Sequence, residues 1–179
     1  MKKLISAFLI GLMIGSFLGF EFYGLIAKPE VIIQTTPVLG VYFSPEGGCE
    51  DLVIYWISRA NVSIHVLIYS FTLDSIGDAL INAHERGVEV LVVFEKGQIS
   101  KYSEYPRLKE AGISVRNDTN PAYMHDKVAI IDGVIVLTGS FNWSRSAEER
   151  NNENLIVIRS TLIASIYEAE FQRIWSESI

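Results

Sequence analysis

Short runs of apolar residues, rich in valine and isoleucine, recur along the chain and alternate with segments whose apolar residues repeat at helical spacing. The runs predict β-strands and the intervening segments predict amphipathic helices. The predicted strands cover residues 38–43, 62–70, 88–95, 113–116, 127–132, 134–138 and 155–159. The predicted helices cover residues 50–60, 75–86, 105–111 and 161–176. Because the two kinds of element alternate, we expect an α/β fold, a mixed β-sheet flanked by helices on both faces.

The N-terminus has a different pattern. Lys2 and Lys3 precede an uncharged, mostly apolar run over residues 4–20, and its 17 residues are at the lower limit for a membrane span. Residues 1–27 are therefore predicted to be a signal peptide or a membrane anchor. Two lysines before the run favour a cytoplasmic N-terminus, which places the rest of the chain outside the cytoplasm, exported or anchored.

Cleavage of this segment would need small residues before the cut. A cut after Ala27 has Leu25 at the third position back, a poor match that favours an uncleaved anchor contacting the membrane. Residues 28–37 contain two prolines and no periodicity, so we interpret them as a linker. The folded domain is predicted to cover residues 38–179.

Composition and charge exclude some classes of protein. The single cysteine, Cys49, can form neither an intramolecular disulfide nor a cysteine metal cluster. Without residues 1–27 the chain has 13 basic and 20 acidic residues, which is not the balance of a general nucleic-acid binder. An enzyme needs only a local positive path, however. Basic residues concentrate between residues 96 and 116, although interleaved acidic residues also suit an ordinary solvated surface.

The most informative chemistry lies around His125 and Lys127. On a strand, residues two apart point to the same face, about 6.6 Å apart. An imidazole can attack phosphorus or move a proton, and an ammonium group can neutralise the charge on phosphate oxygens. The pair therefore predicts a site for a phosphate group.

The residues that follow extend this site. Asp132 and Gly133 separate two apolar runs and predict a tight hairpin, whose return strand brings Ser140 to the same end of the sheet as the histidine. Ser140 and Asn142 can add a hydroxyl and an amide to a phosphate cradle. Glu153, directly before the last strand, could fix the tautomer of a histidine.

This pattern resembles the HxKxxxxD–GSxN signature of the phospholipase D superfamily, and it is most similar to the small, single-motif bacterial endonucleases of that superfamily. The resemblance extends over residues 38 to 175 and includes Tyr69-Ser70-Phe71-Thr72. It implies a phospholipase D-like α-β-α sandwich and catalysis through a covalent phosphohistidine, with no metal and no cofactor.

The resemblance also assigns roles to the residues of the site. It implies that His125 is the nucleophile and that Glu153 orients it. The residues implied to hold phosphate oxygens are Lys127, Ser140 and Asn142. Asp132 completes the predicted catalytic set, and we interpret it as shaping the site through hydrogen bonds, because its parity along the strand is opposite to that of Lys127.

Most members of the superfamily have two copies of the motif, whereas this chain has one. Neither His65 nor His84 is followed by a lysine two residues later. The resemblance to single-motif members therefore implies a homodimer through the active-site face, with both His125 residues in one shared site. Two neighbouring imidazoles can divide the neutral and protonated roles between them.

Three functions fit these observations. The first is a metal-independent nuclease that cuts DNA, with RNA as a further substrate. The second is a lipid phosphodiesterase acting on phospholipid head groups, which the N-terminal segment would hold near a bilayer. The third is a module that binds nucleic acid or protein without turnover, although the intact His125 and Lys127 argue against it. A basic groove beside His125 would favour nucleic acid, and an apolar rim would favour lipid.

Overall fold

The computed structural model describes residues 38–179. Its strands are β1 (Val38–Ser44), β2 (Ser63–Ile68), β3 (Glu89–Phe94), β4 (Ser114–Asn117), β5 (Lys127–Ile131), β6 (Ile135–Gly139) and β7 (Glu153–Arg159). Its helices are α1 (Cys49–Ile57), α2 (Asp74–Glu85), α3 (Tyr105–Glu110), α4 (Arg145–Glu149) and α5 (Thr161–Glu177), with a short 3-10 helix at Lys96–Gln98. Residues 1–37, including the expected anchor and linker, lie outside the described residues.

The seven strands form one mixed sheet in the order β1-β7-β6-β5-β2-β3-β4. Strands β2, β3 and β4 run parallel to one another, and the other neighbouring pairs are antiparallel. The predicted α/β class and mixed sheet are confirmed. The short helix α4 was not predicted, because its five residues are too few to show a helical period.

Helices cover both faces of the sheet, as expected. Helices α1, α2, α3 and α4 contribute to a large apolar core on one face. Helix α5 packs on the other face, where Phe171 and Ile174 meet Val128 and Ile130 of β5. All five residues of β5 are buried, because a central strand covered on both sides must be apolar throughout.

The Asp132-Gly133 hairpin joins β5 to β6 as predicted. Both residues have positive φ, 53° for Asp132 and 62° for Gly133, which is the requirement of a two-residue hairpin turn and suits aspartate and glycine. The hairpin fixes the register of the two strands, with Val128 opposite Thr138. Gly139 and the residues after it therefore lie at the end of the sheet where β5 begins.

Several of the predicted site residues lie at one end of the sheet. Strands β2, β3 and β6 finish there, whereas β5 and β7 start there, as the pairings of Ile68 with Lys127 and of Gly139 with Leu155 show. We call this end the active edge. None of the helices in residues 38–179 is long and apolar enough to cross a bilayer.

Candidate active site

His125 and Lys127 meet at the active edge, as the sequence predicts. Lys127 is the first residue of β5, and its ammonium nitrogen lies 3.0 Å from Nδ1 of His125 and donates to the carbonyl oxygen of the same residue at 2.7 Å. The histidine is exposed and the lysine is buried. A protonated Lys127 makes Nδ1 an acceptor, so the ring proton then sits on Nε2.

Tyr69 supports this pair. Its ring lies 4.4 Å from the imidazole of His125, centroid to centroid, and 4.8 Å from the ammonium nitrogen of Lys127, a cation–π distance. Its backbone N–H donates to the carbonyl oxygen of Asp126 at 3.0 Å. The end of β2 therefore fixes the start of β5, and the tyrosine ring restricts the side chains of both His125 and Lys127.

Burial changes the charge balance of the site. Burial lowers the pKa of Lys127, and the nearby carboxylates of Asp126 and Glu153 oppose that shift without cancelling it. Burial also raises the pKa of Asp126, and the charge of Glu170 adds to that increase. Lys127 therefore gives up its proton more readily than an ordinary lysine.

Glu95, at the end of β3, holds the segment that carries the histidine. Its buried carboxylate accepts a hydrogen bond from the backbone N–H of Met124 at 2.8 Å and another from the N–H of Gly97 at 3.1 Å. Sequence analysis missed this residue because a glutamate at a strand end looks like an ordinary surface charge. A charged side chain directly after a strongly apolar strand was the available signal.

Asn142 lies at the active edge with its amide oriented by the backbone. Its Oδ1 accepts from the N–H of Ser70 at 3.3 Å, so the NH₂ group is the end left for another partner. No partner for that NH₂ group is found within residues 38–179. Trp143, the next residue, is buried edge-on against Phe71, so it packs in the core and does not line the site.

Ser140 and Glu153 form a pair of their own. The Ser140 hydroxyl donates to a carboxylate oxygen of Glu153 at 2.6 Å, and the other oxygen accepts from Asn151 at 2.9 Å. Gly139 allows the backbone of β6 to lie close to that of Asn154 here. Its φ is 150°, and a Cβ at this position would overlap the carbonyl oxygen of Asn154. The serine hydroxyl is therefore committed to the glutamate in this arrangement.

Comparison with known proteins places this geometry in a family. The family described as "Cardiolipin synthase, PLD-like domain" matches residues 53–175. The chain belongs to the phospholipase D superfamily. It is 36% identical to Nuc from Salmonella typhimurium, a phospholipase D family member whose crystal structure superimposes with a TM-score of 0.74 over 78% of this chain and 95% of that one.

Curated relatives of this phospholipase D superfamily member are similar over part of their length. Mitochondrial cardiolipin hydrolase of Xenopus tropicalis is 37% identical over 66% of this chain and 57% of that protein. Phospholipase D of Rickettsia prowazekii (strain Madrid E) is 40% identical over 70% of this chain and 62% of that protein. The chain thus spans less than two thirds of the length of these two relatives.

Two members of the predicted phospholipase D site make no hydrogen bond to His125 within the described residues. Asp132 is at the opposite end of β5, where its carboxylate accepts from the backbone N–H groups of Asn61, Val62 and Ser63. Burial opposes its ionisation, but these hydrogen bonds outweigh burial and lower its pKa. Glu153 is at the active edge, where its two oxygens accept from Ser140 and Asn151 and no hydrogen bond joins it to His125 in the described part of the chain.

A pocket opens beside the phospholipase D histidine, between residues 118–126 and the last turns of α5. Its volume is about 330 Å³, and its wall includes Tyr123, His125 and Arg173. Arg173 forms ion pairs with Glu170 and Glu177. The wall is polar, so the apolar rim expected of a site for acyl chains is not found in this pocket.

Proposed function

We propose that this chain is a metal-independent phosphodiesterase that hydrolyses nucleic acid, DNA and also RNA, with little sequence preference. The observation that carries the proposal is the open active edge, where the exposed His125 lies two residues before the central strand β5, between exposed cations. Lys96 and Lys101 follow β3 on one side, and Arg150 precedes β7 on the other. Cations on both sides of a nucleophile suit a polyanionic backbone that crosses the edge.

The chemistry begins with Nε2 of His125, which attacks phosphorus and forms a covalent phosphohistidine as the bond to the leaving oxygen breaks. Attack requires the ring proton on Nδ1. We propose that the substrate phosphate takes over the hydrogen bonds of Lys127 and so releases Nδ1. The ring then loses the Nε2 proton to solvent and gains a proton from solvent at Nδ1, which becomes the donor. We propose that the Glu153 carboxylate accepts the hydrogen bond from Nδ1–H, and that the Ser140 hydroxyl leaves Glu153 and donates to the phosphate instead. Water then hydrolyses the phosphohistidine.

The leaving oxygen needs a proton as its bond to phosphorus breaks. His125 cannot supply it, because the attacking ring must be neutral, and His65 is buried between Glu89 and Glu168 away from this site. We propose that His125 of the partner subunit protonates the leaving group in a homodimer formed through the active-site face. A two-fold axis between the two histidines gives one site both roles from one sequence.

The N-terminal segment is the basis of a separate proposal. The uncharged run over residues 4–20 suits an anchor or an export signal, and the lysines before it favour a catalytic domain outside the cytoplasm. An exported domain of this kind would meet nucleic acid outside the cell or in an envelope compartment. Protease protection in intact cells, with and without permeabilisation, tests this location.

The function is tested by cleavage of labelled single- and double-stranded DNA in excess EDTA by the full chain. We expect cutting by the wild-type protein and none by His125→Ala or Lys127→Ala. His84→Ala is the matched control, because His84 lies on α2 away from the active edge and should leave the rate unchanged. Wild-type cutting by His125→Ala would refute the site, and dependence on added metal would refute the mechanism.

Phospholipid head-group hydrolysis is the second candidate. It is favoured by the similarity to proteins called phospholipase D and mitochondrial cardiolipin hydrolase. Vesicles of phosphatidylcholine or cardiolipin, assayed in parallel with the same variants, distinguish the two functions. Release of head groups that depends on His125, with no cutting of DNA or RNA, would replace the nuclease proposal.

A further inference from the structure

Tyr123 stands beside the nucleophile with most of its ring in solvent. It lies two residues before His125, and 66% of its surface is exposed. Tyr123 also contacts the rest of the protein. Its ring lies 6.1 Å from the ring of Tyr69, centroid to centroid, and the two ring planes are 79° apart. Tyr69 in turn contacts the imidazole. The exposed aromatic ring is thus linked through one neighbour to the catalytic pair.

The segment that carries Tyr123 is held in place by its own hydrogen bonds. The N–H of Asn120 donates to Asp118 at 3.0 Å, the N–H of Ala122 donates to the side chain of Asn120 at 3.0 Å, and the N–H of Met124 donates to the buried Glu95. Lys96 binds the carbonyl oxygen of Asn120. A ring presented by such a segment is pre-organised, which reduces the entropy lost when a ligand stacks on it.

The two sides of His125 differ in the charge of their surroundings. Lys127 lies on one side and offers positive charge to a phosphate. On the other side, the wall of the pocket next to Tyr123 contains four carboxylates and one arginine, namely Asp118, Asp126, Glu170, Glu177 and Arg173. This excess of carboxylates repels a phosphate but accepts a neutral, hydrogen-bonding group of the substrate. A nucleotide would therefore place its phosphate at Lys127 and its base towards Tyr123.

We propose that Tyr123 is a stacking platform for the nucleobase next to the scissile phosphate, and that it makes this site prefer single-stranded nucleic acid. The inference rests on the proposed nuclease function. A base in a duplex is already stacked and paired, so it must be freed before it can reach the tyrosine. Freeing a base costs less free energy in a single strand than in a duplex. Stacking of a base on an aromatic side chain is sequence-tolerant, because every base has a π-face.

The test uses dinucleotides that contain one phosphodiester and either a normal base or an abasic sugar on each side. Removing a stacking partner should reduce kcat/KM of Tyr123→Ala by roughly 5- to 150-fold on the normal dinucleotide. Tyr123→Phe keeps the ring and should stay within about threefold of wild type. On the doubly abasic dinucleotide, wild type and Tyr123→Ala should be equally slow.

Tyr102→Ala is the matched control, since Tyr102 is 73% exposed and contacts Lys101 instead of the catalytic pair. Its effect, if any, should not depend on the bases. Equal losses for Tyr123→Ala on normal and abasic dinucleotides would overturn the inference. A change in the sedimentation mass of Tyr123→Ala would also overturn it, by assigning the loss to assembly.

The design separates this inference from the function on which it rests. If wild-type protein cuts dinucleotides and Tyr123→Ala cuts them equally well, the nuclease stands and the platform is wrong. If wild-type protein cuts no nucleic acid but releases phospholipid head groups, the nuclease proposal and the inference fall together. Faster cutting of double-stranded than of single-stranded oligonucleotides by wild type would refute the strand preference.

Discussion

Replacing Asp132 separates a structural role from a catalytic one. Its carboxylate accepts from three consecutive backbone N–H groups, those of Asn61, Val62 and Ser63, at 2.8 to 3.1 Å. It thereby ties the segment before β2 to the hairpin after β5. This contact lies at the end of the sheet opposite to His125, so its loss should reduce stability and leave the chemistry intact.

The magnitude follows from these contacts. Removing a carboxylate that accepts several partly exposed backbone N–H groups costs about 2 kcal/mol. Asp132 also has a φ of 53°, where alanine costs about 1 kcal/mol more than aspartate or asparagine. Asp132→Ala should therefore lose about 3 kcal/mol of unfolding free energy, and Asp132→Asn about 1 kcal/mol. At about 2–4 °C per kcal/mol, Tm should fall by roughly 6–12 °C and 2–4 °C respectively.

Thermal unfolding followed by circular dichroism at pH 7 measures these shifts, and the cleavage rate at 25 °C measures catalysis. Because the pKa of Asp132 is lowered on folding, its stabilisation is present above its unfolded pKa of about 3.9 and is lost as pH falls through the folded value. The Tm difference between wild type and Asp132→Asn should therefore shrink below about pH 4. A cleavage rate reduced more than about tenfold, with an unchanged Tm, would refute this reasoning and restore Asp132 to the catalytic set.

Three further changes have expected outcomes. Asn142→Ala should lose about 10²-fold in kcat if its NH₂ group donates to the substrate phosphate as proposed, and an unchanged rate in steady-state assays would show that it does not. Glu95→Gln should lose about 1–3 kcal/mol and also reduce kcat, because an amide cannot accept from both Met124 and Gly97, and wild-type Tm and kcat would contradict this role. As pH rises, kcat/KM should begin to fall before about pH 10.4, the ordinary pKa of lysine, because Lys127 must be protonated and its pKa is lowered. A decrease that begins only above that pH would contradict this role of Lys127.

Local patterns predicted much of this molecule from the sequence. The strands and the four longer helices follow from apolar periodicity, and the hairpin follows from Asp132 and Gly133, whose preferences for positive φ are local. The spacing of His125 and Lys127 likewise fixed their contact, because two residues separated by one on an extended chain share a face whatever surrounds them.

Contacts between distant residues could not be predicted in this way. The hydrogen bond between Ser140 and Glu153 depends on the register of β6 against β7, which brings the two residues together. Glu95 became a support for the catalytic segment only because parallel pairing of β2 and β3 places it beside Met124. Neither register is encoded in the short-range pattern around these residues.

The sequence by itself determined the elements, the hairpin and the contact between His125 and Lys127, because each depends on residues close together along the chain. Tertiary structure decided the order of the strands, and that order put Tyr69 against His125 and Lys127, Asp132 beside the backbone N–H groups of residues 61–63 and Tyr123 in the wall of a pocket. The physical reason is that strand order and register are set by burying apolar area over the whole sheet. No single segment contains that information.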